Sequence, residues 1–218
     1  MGRDDDGALA ADGLAAEEMR ALRSRIDLSG LPPITRMVTE RIIISSAEFS
    51  YANELVCSEP WLEAAVGALA AGAPVVADGP MTAVGIPGEL TICKAGESLT
   101  ERLARTAGIP RAAAAVRLAF GEAGPGAIWV VGSEPVAIYE IMSRKVEPSL
   151  VIGLPAGFVA AVGAKQALRD SGLPALTNVA EKGGPSVAVA ACLALLAAVR
   201  PADQPQAVPA AGRAGSSR

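Results

Sequence analysis

Short apolar runs alternate with stretches of helical periodicity between residues 58 and 199. The apolar runs predict five strands, at residues 74–77, 90–93, 127–131, 150–152 and 175–179. Helices are predicted between them, at residues 58–72, 98–107, 110–120, 135–145 and 158–170, with a last helix from the Gly183-Gly184 pair to about residue 199. Continuous apolar strands that alternate with helices are typical of a parallel sheet covered on both faces. The pattern therefore predicts a three-layer α/β domain of flavodoxin-like type, with a five-stranded and mainly parallel sheet.

The two ends of the chain lack this pattern. Residues 1–15 are rich in Asp, Ala and Gly, and residues 200–218 contain three prolines and a Gly-Ser end. Segments of this composition do not bury enough apolar surface to offset their conformational entropy. We expect a flexible N-terminal tail over residues 1–15, one α/β domain over residues 16–199, and a disordered C-terminal tail over residues 200–218.

Composition excludes several classes of partner. Of the 218 residues, 19 are Lys or Arg and 23 are Asp or Glu, and this net charge of −4 argues against nucleic-acid binding. The start of the chain is acidic, and the longest apolar run, residues 187–199, is shorter than the roughly 18 residues that span a bilayer. The three cysteines are far apart and odd in number. We expect a cytoplasmic protein without a membrane partner.

The chain contains no histidine. This absence excludes histidine-dependent zinc sites, Ser-His-Asp triads and Cys-His pairs. The glycine-rich loops match neither the dinucleotide-binding fingerprint nor the phosphate-binding loop of nucleotide hydrolases. The sequence therefore predicts neither a metal nor a cofactor.

Three loops follow predicted strands and lead into helix N-termini, at residues 132–135, 153–158 and 182–186. In parallel α/β folds, ligands bind beyond the carboxyl ends of the strands. Glycines allow close backbone approach there, and free N–H groups favour anions. Alternatively, these are ordinary loop and cap residues. The candidate ligand-binding residues of the loops are Gly132, Ser133, Pro135, Gly153, Pro155, Gly157, Phe158, Lys182, Gly183 and Gly184.

Two further cations are candidates for binding an acidic ligand. Arg111 opens an alanine-rich helix, and Lys165 lies in the helix after the second loop. Either side chain could bind a carboxylate, and either could equally be a solvated surface residue. Glu48, Tyr51 and Glu54 lie in one stretch without an evident partner, so we interpret them as solvated helix residues.

Several motifs resemble those of the precorrin-8X methylmutase family. The similarity runs from about residue 18 to residue 197, and it is carried by residues 31–33, 54–58, 70–78, 111–114, 151–159 and 182–184, together with Lys165. The resemblance implies a flavodoxin-like fold and a homodimer with the ligand pocket near the subunit interface. It also implies a tetrapyrrole ligand edged with carboxylates, and an isomerase that moves a methyl group on the corrin ring in cobalamin biosynthesis.

The chain departs from the family's pattern at polar positions. Ile44 occupies the position of the catalytic histidine, whose proposed role in the family is to protonate the macrocycle. No catalytic residue is therefore assigned here. Glu134 and Glu181 add negative charge where an acidic substrate would approach.

Three hypotheses remain open. The first is a working methylmutase that converts precorrin-8X to hydrogenobyrinate, with Ser45, Ser46 or Tyr51 supplying the proton. The second is a non-catalytic protein that binds a corrinoid or another tetrapyrrole, whose carboxylates would meet Arg111, Lys165 and Lys182. The third is a diverged enzyme acting on a less acidic ligand, an idea motivated by the two added glutamates.

Overall fold

The computed structural model describes residues 3–199, so the predicted C-terminal tail lies outside the described residues. The helices are α1 (Arg3–Arg25), α2 (Pro33–Ser46), α3 (Tyr51–Glu54), α4 (Glu59–Ala70), α5 (Pro80–Ala83), α6 (Ser98–Ala107), α7 (Arg111–Ala123), α8 (Pro135–Arg144), α9 (Ala160–Asp170) and α10 (Pro185–Val199). The strands are β1 (Leu55–Val56), β2 (Val75–Ala77), β3 (Thr91–Ile92), β4 (Ile128–Val131), β5 (Leu150–Gly153) and β6 (Ala175–Asn178). The expected boundary at residue 16 falls inside α1, and the flexibility of residues 1–15 stays a prediction.

The strands form one sheet in the order β1-β6-β5-β4-β2-β3. All neighbours are parallel except β1, which runs antiparallel to β6. The five predicted strands are confirmed, and their order is that of flavodoxin-like folds. The predicted count of five is corrected to six, because β1 is too short for its polarity pattern to be recognised. Its two residues, Leu55 and Val56, pair with Asn178 and Thr177 at the sheet edge.

Alternate residues of the central strands point into two different cores. Ile128 and Val130 of β4 pack in a cluster with side chains of α2, α4 and α10. Trp129 and Val131 pack on the opposite face, with side chains of α7, α8 and α9. All four residues of β4 are buried, which is why the strand reads as a continuous apolar run.

The long apolar run at residues 187–199 belongs to α10, which packs between α2 and α4 over the sheet. Within residues 3–199, no helix is long and apolar enough to cross a membrane.

The start of α2 is capped by a side chain from another helix. Pro32 and Pro33 lack N–H groups, so Ile34 and Thr35 carry the first free amides of the helix. The Glu59 carboxylate accepts both amides, at 2.7 and 2.8 Å, and also the Thr35 hydroxyl at 2.6 Å. Burial alone would raise the pKa of Glu59, but these hydrogen bonds outweigh it and lower the pKa below its usual 4.5. Glu59 therefore joins α4 to α2 through its ionised form.

Replacing Glu59 by glutamine should destabilise the fold by about 1–2 kcal/mol at neutral pH, because the amide accepts fewer bonds and carries no charge. A carboxylate whose pKa is lowered by folding stabilises above its unfolded pKa and loses that contribution as the pH falls. The difference in the free energy of unfolding between the wild type and the variant should therefore become smaller below about pH 4.5. Urea denaturation at pH 7 and pH 3.5 measures this. A Glu63→Gln variant, exposed on the same helix, is the control, and a difference independent of pH would contradict the capping role.

Candidate ligand site at the carboxyl edge of the sheet

The three predicted loops follow β4, β5 and β6 and therefore lie at the same edge of the sheet. The second and third loops are directly joined. The Gly184 amide donates to the Leu154 carbonyl at 2.7 Å, and the Gly157 amide donates to the Glu181 carbonyl at 2.8 Å. The structure thus brings the candidate loop residues together, as expected, although much of their hydrogen-bonding capacity is used between the loops.

The amides of the first loop are occupied by a carboxylate of the chain itself. Asp78, directly after β2, accepts the amides of Ser133 and Glu134 at 2.6 and 2.7 Å. It also accepts the Thr82 hydroxyl at 2.7 Å. Pro135 has no N–H to offer. Asp78 therefore already occupies these two amides, and the binding of an external anion by this loop stays a prediction.

Little space remains between β2 and β4, the point at which the strand order reverses. The cavity there has a volume of about 10 Å³ and is lined by Asp78, Trp129 and the small side chains of α7 and α8. That volume suits about one water molecule. A ligand at this edge would therefore lie on the loops rather than inside the sheet.

Three candidate glycines are required by close packing. A Cβ on Gly132 would lie 2.7 Å from the Pro185 Cα, and one on Gly153 would lie 2.5 Å from a Leu168 methyl. Gly183 has a φ of +156°, and a Cβ there would meet the Leu154 carbonyl oxygen at 2.2 Å. Each of these glycines lets two segments approach closely, and a contact of these glycines with a ligand stays a prediction.

Lys165 lies beneath the third loop and not on its surface. Its side chain is fully buried. The ammonium donates to the Asn178 side-chain oxygen at 2.9 Å, to the Lys182 carbonyl at 3.0 Å and to the Ala180 carbonyl. Burial, and secondly Arg169, lowers the pKa of Lys165 to about 8, against the opposing effect of Glu181 and Glu54. Lys165 therefore contacts the loop, and its contact with a ligand stays a prediction.

Lys182 is paired with the segment that we interpreted as solvated. Its ammonium lies 2.8 Å from a Glu54 oxygen and 3.8 Å from a Glu48 oxygen. It also lies 4.9 Å from the centre of the Tyr51 ring, a cation–π distance. Tyr51 is buried. The interpretation of these residues as lacking a partner is wrong, and Tyr51 is not solvated, although Glu48 is exposed. The sequence does not show the contact, because about 130 residues separate this segment from Lys182.

Of the three candidate cations, Arg111 alone is exposed. It is the first residue of α7, and its Nε donates to the Ala95 carbonyl at 2.8 Å. This placement leaves part of the guanidinium turned to solvent, so its role in ligand binding stays a prediction.

Ile44 lies in the last turn of α2, beside the third loop. Its side chain is half-buried and packs against the core cluster beneath α2 and α10. The next residue, Ser45, donates its hydroxyl to the Ser186 carbonyl at 3.4 Å. Ser46 donates its hydroxyl to the Ile42 carbonyl at 2.8 Å. An apolar side chain thus stands where the edge of the site meets α2.

Large apolar side chains are exposed along the same edge. Phe158 and Val159, after β5, are 88% and 83% exposed, while Pro155 beside them is buried. We call the set of exposed apolar side chains that follow β2, β5 and β6 the apolar rim: Met81, Val84, Phe158, Val159 and Val179. Glu134, after β4, and Glu181, after β6, are exposed at the same edge. The edge therefore presents apolar surface and two carboxylates.

No group of three or more His, Cys, Asp or Glu side chains in the described part of the chain could hold a metal ion. All three cysteines, Cys57, Cys93 and Cys192, are free.

Known proteins match this chain over most of its length. A family model described as precorrin-8X methylmutase matches residues 14–198. The cobalt-precorrin-8 methylmutase of Salmonella typhimurium is 32% identical over 186 residues, which cover 82% of this chain and 89% of that protein. The corresponding protein of Methanocaldococcus jannaschii is 32% identical over 157 residues, which cover 70% and 74%. A solved structure of precorrin-8X methylmutase from Thermus thermophilus superposes with a TM-score of 0.76 at 29% identity, covering 85% of this chain and 96% of that one.

Proposed function

The chain belongs to the precorrin-8X methylmutase family, isomerases of cobalamin biosynthesis, and we propose that it binds a tetrapyrrole without catalysing the histidine-dependent methyl shift. The matched span confirms the resemblance read from the motifs. The ligand would lie on the loops at the carboxyl edge of the sheet, between Ile44, the apolar rim and Arg111. Both a metal-free and a cobalt-containing tetrapyrrole are candidates, since proteins named precorrin-8X methylmutase and cobalt-precorrin-8 methylmutase both match the chain.

The observation that carries this proposal is Ile44. Isoleucine has no exchangeable proton, and the chain has no histidine elsewhere to take its place. Proton transfer by a placed side chain contributes typically about 10²–10⁴ in rate. A family reaction that depends on an imidazole at this position therefore loses its acid.

The neighbouring hydroxyl groups are poor replacements. Burial, with the charges of Glu54 and Glu48, raises the pKa of Tyr51 to about 12, which makes it a weaker acid than free tyrosine. The hydroxyls of Ser45 and Ser46 donate to backbone carbonyls within the fold. This geometry supports a binding protein over a methylmutase that works with a substitute proton donor.

Visible absorbance spectroscopy with precorrin-8X tests the proposal. We expect the purified full chain to give the spectrum of a bound ligand without conversion to the corrin product. An Ile44→His variant restores the missing group, and an Ile44→Leu variant controls for any change at this position. Corrin product formed by the histidine variant alone would assign the lost activity to this side chain.

Two results would contradict the proposal. Conversion by the unmodified chain would establish a methylmutase that works without histidine. An unchanged spectrum with every variant would exclude this tetrapyrrole as the ligand.

The assembly and the compartment are further parts of the proposal. The family resemblance supports a homodimer with the ligand near the subunit interface, which sedimentation of the purified chain would measure. Three free cysteines support a reducing cytoplasm.

A further inference from the structure

We infer that the site binds a tetrapyrrole with neutral amide or ester groups at the carboxyl edge of the sheet more tightly than one with carboxylates there. This inference rests on the proposed function and names the class of tetrapyrrole that the site selects. It follows from what the edge offers to a ligand: two lysines and several amides that are already bound within the chain, one exposed guanidinium on Arg111, two exposed carboxylates, and apolar surface.

The two lysines at the third loop are already bound within the chain. A ligand carboxylate needs an accessible positive charge to offset the loss of its hydration. The Lys165 ammonium is buried and its three N–H groups are bonded to the chain. Lys182 is neutralised by Glu54 and Glu48. Neither lysine is therefore available to a carboxylate without the loss of an internal partner.

The backbone amides at this edge are also occupied by partners within the chain. The N-terminus of α8 is an anion site by its geometry, and the Asp78 carboxylate already fills it. The amides of Gly157 and Gly184 join the second loop to the third. These groups hold the edge together and are not offered to a ligand anion.

Two carboxylates are exposed at this edge. Glu134 follows β4 and Glu181 follows β6, and both side chains are exposed at the edge that a ligand would approach. A carboxylate-edged ligand would be repelled by both, whereas an amide or ester would not. The apolar rim beside them fits a flat macrocycle that is largely apolar.

Two corrinoids with the same ring distinguish these ligand classes. Cobinamide carries amides on its periphery and cobyrinic acid carries carboxylates, and both are used as their dicyano forms so that the axial ligands are equal. Titrating the full chain and following the visible spectrum gives each Kd. We expect cobinamide to bind at least about ten-fold more tightly than cobyrinic acid at low ionic strength, and added salt to narrow the difference because it screens the carboxylates.

A charge variant tests the cause of the selection. The double variant Glu134→Gln with Glu181→Gln should bind cobyrinic acid more tightly, with cobinamide binding unchanged. Glu147→Gln removes the same kind of charge from an exposed residue before β5, at the opposite edge, and should change neither Kd.

The outcomes separate this inference from the proposed function. Cobyrinic acid binding as tightly as cobinamide, or more tightly, overturns the inference and leaves tetrapyrrole binding intact. Binding of neither corrinoid overturns both. An equal gain in the double variant and in the Glu147 control would assign the effect to net charge and overturn the role of this edge.

Discussion

Replacing Lys165 by alanine is expected to reduce the free energy of unfolding by about 4 kcal/mol, because the change opens a cavity and removes three hydrogen bonds at once. The buried ammonium bonds to the side chain of Asn178 and to the carbonyls of Ala180 and Lys182. Without it, these two carbonyls keep only the weaker hydrogen bonds from the Asn178 amide, at 3.4 and 3.1 Å.

Two further variants separate packing from hydrogen bonding. Lys165→Met fills most of the cavity that alanine would leave, but it does not donate to the carbonyls. About half of the loss in the free energy of unfolding should therefore remain. Gln166→Ala changes an exposed residue on the same helix and should stay within about 0.5 kcal/mol of the wild type. Urea denaturation measures all three. A Lys165→Ala protein as stable as the Gln166 control would show that the ammonium does not support the loop.

The central strands and the longer helices after residue 58 could be predicted from the sequence, because β2, β4, β5 and β6 are buried on both faces. The 14-residue helix α2 was not predicted. A run such as residues 128–131 is apolar at every position, since one pair of side chains enters each core. Helices such as α6 and α7 were predicted to within a few residues by their periodicity and by Pro110. β1 and α3 were not predicted, because these short elements adjoin in a partly polar segment that shows neither a continuous apolar run nor a helical period.

The position of the candidate site was predictable, but its internal pairing was not. Ligands of parallel α/β folds bind beyond the strand ends, and the three loops do meet there. Nothing in the sequence around Lys182 indicates that Glu54 and Glu48 neutralise it, because the contact is made across the fold. Asp78 was overlooked for the same reason, although its place directly after β2 was a usable signal.

Residue types alone therefore favoured anion binding at positions where the chain's own carboxylates are bound. A lysine in a glycine-rich loop and amides at a helix start both suggest an anion site, yet the chain supplies its own anions at both places. Ile44 is different, because its interpretation comes from position: the family resemblance places it where the family has its histidine, and the loss of an acid there stays a prediction. Its side chain packs against the core cluster.

Replacing Gly183 by alanine is expected to cost at least about 3 kcal/mol, since strain at a special backbone conformation adds to a steric clash. The backbone φ is +156°, and the new Cβ would lie 2.2 Å from the Leu154 carbonyl oxygen and 2.8 Å from that of Pro155. Both obstacles are backbone atoms, which cannot rotate away as a side chain does. The second and third loops would have to separate, and the hydrogen bond from the Gly184 amide to Leu154 would be lost with them.

Gly67→Ala is the matched control for this change. Gly67 lies inside α4, and a Cβ there meets no atom within 4 Å. The control should gain about 1 kcal/mol from helix propensity, so the same substitution should act in opposite directions at the two sites. Chemical denaturation gives both values, and corrinoid titration shows whether the Gly183 variant also weakens binding. If Gly183→Ala were as stable as the wild type, the close approach of the two loops that forms this edge would be wrong.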